Sequence, residues 1–97
     1  MQFHGFEWDD GNWPKCGKHG LSKHTIESVF ERPVTVLDDP FDPVQEPRLR
    51  AIGKDVAGRY IFIVFCLRVR NDVTLLRPIS ARHMHAKEVK HYEKQKS

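Results

Sequence analysis

The chain has 97 residues, 39% hydrophobic and 30% charged, with a formal net charge of +3. That length suits one domain, which buries only about two-thirds of its unfolded surface and so builds a modest core that a partner can extend. The longest apolar run, Tyr60 to Leu67, falls far short of the roughly 20 residues that a membrane-spanning helix needs, which excludes that class. Two cysteines make no disulfide framework, and Met1 to Gly5 has neither a basic nor an apolar leader region, so a reduced, cytoplasmic protein is expected.

Charge is unevenly spread. Residues 1–47 hold 4 Lys or Arg against 9 Asp or Glu, a net of −5, whereas residues 48–97 hold 12 against 4, a net of +8. A basic half of this kind attracts a nucleic-acid backbone through counterion release, and it is equally open to a solvated surface or to docking an acidic protein.

Phe3 to Trp8 has the composition of a short first strand. After it, Asp9, Asp10 and Asn12 offer capping oxygens and Pro14 suits a first turn, which predicts a helix from about Asn12 to His19 closed by Gly20. Ser22 caps a second helix, with Leu21 and Ile26 at hydrophobic-staple spacing. Ile26, Val29 and Phe30 share its apolar face, and Arg32-Pro33 ends it. Trp8 is expected in the core and Trp13, beside Pro14, at the surface.

Val34 to Leu37 reads as a strand, followed by an irregular acidic loop from Asp38 to Pro47. Arg48 to Gly53 alternates polar and apolar residues, Gly58 marks a turn, and Arg59 to Leu67 is β-branched and aromatic enough for a central strand covered on both faces. Asn71-Asp72 turns the chain into Thr74 to Ala81, where Pro78 calls for an edge, a bulge or an outward-facing amide position. From His83 to about Lys94 the composition is helical, although Ala86, Val89 and Tyr92 form only a thin apolar stripe. The sum is an α+β fold over residues 1–97: two N-terminal helices packed on a twisted, mainly antiparallel sheet, with a C-terminal helix.

Several short motifs recur in a fixed order: Phe6-Glu7-Trp8-Asp9, then Asn12, Lys15 and Lys18-His19-Gly20, then Glu46 and Arg48, Ile52-Gly53, Gly58-Arg59, and Ile79-Ser80-Ala81-Arg82. The ordered series resembles the BrnT family, small ribonuclease toxins of bacterial toxin-antitoxin pairs related in fold to RelE. The resemblance implies a RelE-like endoribonuclease that inhibits translation and growth, acts on RNA without metal or cofactor, and is neutralised by a BrnA-type antitoxin. It further implies a toxin-antitoxin heterotetramer that touches operator DNA only through the antitoxin. The chain departs from many relatives in having Phe41-Asp42-Pro43 where they carry a histidine and serine, which leaves the identity of the general base open.

Metal-independent RNA cleavage needs a base for the ribose 2′-hydroxyl, cations for the pentacoordinate phosphate and an acid for the leaving 5′-oxygen. The catalytic candidates are Lys18, His19, Glu46, Arg48, Arg77 and Arg82, with Arg59 and Tyr92 as substrate-binding candidates. Arg48, Arg59, Arg77 and Arg82 lie on or at the ends of predicted strands, from which guanidinium groups can converge on one phosphate. Arg82 leads this set; its alternative role is a structural pair with Glu46. Arg77 shares strand parity with Leu75 and Ile79, which makes it a covered structural cation unless Pro78 introduces a bulge.

His19 is the natural acid or base, with Lys18 beside it to bind phosphate; the alternative is a histidine capping a helix C-terminus. Glu46 is a second candidate base and Tyr92 a hydroxyl donor. Two rival functions stand beside cleavage: a binding module using the same basic sheet, and a metal-dependent nuclease using Asp38, Asp39, Asp42 and Glu46. The calcium-loop template fails for those acids, and Cys16, His19, His83 and His85 are zinc-ligand types without a diagnostic spacing.

Overall fold

The computed structural model describes residues 1–39 and 46–96. Most of the acidic loop predicted before Pro47, including Asp42, lies outside the described residues. Four antiparallel strands form one sheet in the order β1 (Thr35–Asp38), β2 (Leu49–Lys54), β3 (Tyr60–Arg70), β4 (Val73–His83). Helix α1 (Lys23–Val29) precedes the sheet and α2 (Ala86–Lys96) follows it.

Helix α1 forms as its sequence dictates. Ser22 accepts a hydrogen bond from the Thr25 amide, and Leu21 and Ile26 are both buried, completing the cap and the staple. Its apolar face carries Ile26 and Val29 onto Ile61, Ile63 and Phe65 of β3, while the Phe30 ring meets Phe65 edge-on at 5.5 Å. The approach is close because β2 contributes no side chain beneath the helix at Gly53, where a Cβ would stand 2.7 Å from Val29 and 2.8 Å from Val34.

The expected helix from Asn12 to His19 is absent; a single 3₁₀ turn, Lys15–Gly17, takes its place. Gly11 and Gly17 weaken helix propensity here, and Asn12 points inward instead of capping forward. At 3% exposure, Asn12 donates its amide to the carbonyls of Glu7 and Pro78 and accepts from the Asp9 N–H. Gly20 ends the segment at φ +93°, the left-handed conformation expected of it. Trp13 is half-buried rather than exposed, because its ring sits over Gly17 and meets the half-buried Trp8 edge-on at 5.3 Å.

The first predicted strand reduces to one parallel bridge, Phe6 with Leu76 on the outer edge of β4. Pro78 explains the truncation, since it lacks the N–H that the next rung would require. Strand β3 is interior in the sheet order, but α1 covers only one of its faces. The other face is covered differently from the expected apolar burial: Phe62 carries the guanidinium groups of Arg50 and Arg82 above its ring.

A bulge sets the geometry of β4. Val64 pairs with Ser80 and Phe65 with Pro78, which leaves Ile79 as an extra residue. Arg77 and Arg82 are five positions apart and would point to opposite faces of a regular strand; the extra residue puts both on the face opposite α1. Asn71 and Asp72, with φ of 51° and 65°, make the tight β3–β4 turn. Helix α2 has no buried residue and lies on that same face. It is held by an edge-on contact of Tyr92 with Tyr60, a Tyr92–Thr35 hydrogen bond and the Glu88–Arg82 pair.

The Asn12 amide ties its turn to Glu7 and, through a buried bond, to Pro78 of β4, so its loss should be costly. Asn12→Ala is expected to lower stability by about 2–3 kcal/mol in urea denaturation, because the carbonyl of Pro78 is left buried without its donor. A loss under roughly 0.5 kcal/mol would show that the N-terminal segment is not held by this residue.

Candidate functional site

The sheet face opposite α1 gathers most of the arginines, and the acids of the N-terminal half meet them. Arg77, 9% exposed, donates to Glu7 at 3.0 Å and to both oxygens of Asp9 at 2.9 Å. Arg70 donates to the other oxygen of Glu7 at 2.8 Å, and Arg68 forms a two-pronged pair with Glu46 at 3.0 Å. Arg50 pairs with Asp39 at 3.2 Å. The arginines lower the carboxyl pKa values of Glu7, Asp9 and Glu46. The Arg77 guanidinium and the Gly11 amide pull Asp9 down to about 2, and the Arg68 guanidinium pulls Glu46 below its ordinary value.

The expected Arg82–Glu46 pair does not form. Leu49 opposes Phe65, so continuing the register brings Glu46 beside Arg68, whereas Arg82 opposes Phe62, six residues or about 20 Å further along β3. Arg82 instead grips Glu88 of α2 at 2.8 and 2.9 Å, which brings the Glu88 carboxyl down to about 2.

The candidate residues divide between two pockets. One, of about 250 Å³, is lined by Lys15, Glu46, Arg48, Cys66, Arg68 and Arg77. Within it Arg77 and Arg68 are neutralised by carboxylates, while Lys15 and Arg48 have no partner among the described residues. Cys66 is buried and free, and burial pushes its thiol up. Cys16, also buried and free, is raised to about 11 for the same reason.

The second pocket, of about 350 Å³, lies at the far end of β4 and is lined by His19, Arg59, Arg82, His83, Met84 and His85. Each element delivers its group for a local reason. Gly20 ends the N-terminal turn and leaves His19 exposed beside β4. The β2–β3 turn is tied by Asp55, whose carboxylate accepts from the amides of Ala57 and Arg59, and this sets Arg59 at the pocket. The other Asp55 oxygen faces Nε2 of His83 at 3.4 Å, a carboxylate–imidazole couple that orients the ring. His19 and the Arg59 guanidinium have no hydrogen-bond partner among the described residues, and His19 caps no helix carbonyl.

The four arginines therefore do not converge on one phosphate. Arg77 and Arg82 are four rungs of β3 apart, about 13 Å, with Arg48 near the first and Arg59 near the second. Lys18 is exposed and lines neither pocket, and Tyr92 of α2 lines neither pocket but packs against Tyr60 and Thr35. The His83–Asp55 couple is not legible in the sequence, since 28 residues separate its members. Among the described residues no group of three His, Cys, Asp or Glu is placed to hold a metal ion. Asp39 and Glu46, from the acid set of the rival metal-dependent reading, are engaged with Arg50 and Arg68.

A family model described as the ribonuclease toxin BrnT of type II toxin-antitoxin systems matches residues 8–88, a span that contains every charged group of both pockets. No curated protein matches the chain.

The depressed carboxylates predict acid lability. A group held at about 2 when folded and near 4.5 when unfolded contributes stability that is complete above the unfolded value and disappears as pH falls through the folded one. The melting temperature should thus fall steadily from about pH 5 toward about pH 2, and Glu88→Gln should flatten part of that slope while leaving the melting temperature at pH 7 slightly lower. An unchanged slope in the variant would mean that the Glu88–Arg82 pair contributes nothing to the folded state.

Proposed function

The chain belongs to the BrnT family of ribonuclease toxins of type II toxin-antitoxin systems, and from that premise we propose that it is a cytoplasmic, metal-independent endoribonuclease with its chemistry in the His19–Arg59–Arg82–His83 pocket. The observation that carries this reading is the meeting of imidazoles with guanidinium groups in one open pocket. Imidazole moves protons near neutral pH, and guanidinium stabilises phosphate charge without needing to titrate.

In this reading His83, oriented by Asp55, takes the proton of a ribose 2′-hydroxyl. The 2′-oxygen attacks the adjacent phosphorus, Arg59 and Arg82 meet the charge of the pentacoordinate phosphate, and His19 protonates the departing 5′-oxygen. The bond from phosphorus to the 5′-oxygen breaks, leaving a 2′,3′-cyclic phosphate and a free 5′-hydroxyl. Lys15 and Arg48 in the neighbouring pocket bind a further phosphate of the same strand, and Arg77, committed to Glu7 and Asp9, shapes that pocket. Glu46 is bound to Arg68 and serves the same structural end, so the base is assigned to histidine.

The type II family supplies an antitoxin partner and an RNA target. A BrnA-type antitoxin, a toxin-antitoxin heterotetramer, operator contact through the antitoxin alone and descent from a RelE-like fold complete the proposal. No described helix is long and apolar enough to cross a membrane.

Purified protein is expected to cleave single-stranded RNA in the presence of EDTA; cleavage only after divalent ions are added would overturn metal independence. Arg82→Ala should slow cleavage by roughly 100-fold, on the order of 3 kcal/mol in the barrier. Glu88→Gln separates chemistry from structure, since it releases α2 from Arg82 yet leaves the guanidinium in place. Full cleavage by Glu88→Gln supports the chemical role. Equal losses in both variants, with equal drops in melting temperature, would make Arg82 an anchor for the helix.

A further inference from the structure

The cations on the other side of α2 behave differently from those of the sheet. A groove of about 410 Å³ runs between α2 and the β1 edge, with Ile52, Tyr60 and Tyr92 in its floor and Arg32, Lys54 and Lys96 around its rim. Among the described residues no carboxylate holds any of these three cations. Arg32 donates to the backbone carbonyl of Asp55, Lys54 lies 4.9 Å above the Tyr60 ring and Lys96 lies 5.6 Å above the Tyr92 ring. Among the described residues no acidic residue lines the groove or the cavity that continues it past Thr35, Leu37 and Gln95. In a chain whose sheet arginines are neutralised one by one, this rim keeps its positive potential.

The groove also borders the open edge of the sheet. The outer edge of β4 is partly covered by the Phe6 bridge, and the amides of His4 and Glu7 donate to it. Strand β1 pairs only with β2 among the described residues, and it exposes Val36 at 36% on one face and Leu37 at 47% on the other. A strand edge with free backbone groups and apolar side chains is a template for a further strand.

We propose that the β1 edge and the adjoining groove form the docking site for an extended acidic and apolar segment of the antitoxin. The segment pairs its backbone with Thr35–Asp38, sets apolar side chains on Leu37 and the tyrosine floor, and presents carboxylates to Arg32, Lys54 and Lys96. An RNA strand would satisfy the rim but leave both the apolar floor and the free amides unused, which favours a peptide. This assignment rests on the reading of the chain as a toxin with an antitoxin partner, and it places the partner's grip outside the two pockets assigned to RNA.

The test uses the full chain and the antitoxin encoded with it. Two variants, Leu37→Lys and the double charge reversal Lys54→Glu with Lys96→Glu, change exposed side chains outside both pockets assigned to RNA. Each should weaken antitoxin binding by roughly tenfold or more in titration calorimetry, with the charge reversal losing most of the salt dependence. Both should cleave RNA at the parent rate and arrest growth despite co-expressed antitoxin. Amide exchange along β1 should slow in the parent complex. Unchanged affinity in both variants, or β1 exchange unaltered by the antitoxin, overturns the proposal. Loss of RNA binding with antitoxin affinity intact overturns it as well, by making the groove an RNA site. A parent protein that cleaves no RNA yet shows the affinity losses would refute the ribonuclease mechanism and leave the docking site standing.

Discussion

The closure of Glu7 and Asp9 on the Arg77 guanidinium is the contact on which the arrangement of this molecule depends. It fastens the N-terminal segment along the outer side of β4, where Asn12 can reach the Pro78 carbonyl and the 3₁₀ turn can lie against the strand. His19 then reaches the end of β4 beside Arg82 and His83. Without that fastening the two halves of the imidazole pocket would belong to unconnected parts of the chain. Arg77 is itself available to these acids only because the Ile79 bulge turns it onto the face opposite α1. A buried guanidinium with one carboxylate would be poorly satisfied; two carboxylates around it offset the loss of hydration.

The same logic separates structural from available cations. Arg50, Arg68, Arg70, Arg77 and Arg82 each have a carboxylate, so five of the twelve basic residues of the second half of the chain are neutralised internally. Lys15, Arg48 and Arg59 line pockets without such a partner among the described residues, and Arg32, Lys54 and Lys96 rim a groove on the other side of α2. The potential of the pockets and the groove therefore comes from these other basic residues. Their distribution, two sets near the β4 strand and one near β1, gives the molecule distinct basic faces within a small fold.

Helix α2 connects these faces. It buries no residue of its own and is held by polar and aromatic contacts at a few points, chiefly Glu88 on Arg82 at one end and Tyr92 on Tyr60 and Thr35 at the other. An attachment of this kind is directional and weak compared with an apolar interface, because exposed ion pairs contribute little. Arg82 thus has two calls on its guanidinium, the helix and any anion that enters the pocket.

The sequence by itself determined the α1 cap and staple, the β hairpins with their turns, the apolar faces of β2 and β3, and the family through an ordered set of short motifs. Those features depend on residue periodicity and neighbours a few positions apart, and both are explicit in a linear string. It also identified Arg59, Arg82 and His19, which do meet in one pocket. Only tertiary structure decided which acid each arginine takes, because register, not composition, placed Glu46 beside Arg68 and Glu88 beside Arg82. Tertiary structure also replaced the first helix with a single turn, since the pull on Asn12 comes from Pro78, 66 residues away. The bulge at Ile79 likewise reversed the face of Arg77 without altering any local preference, because strand parity is a property of pairing between strands.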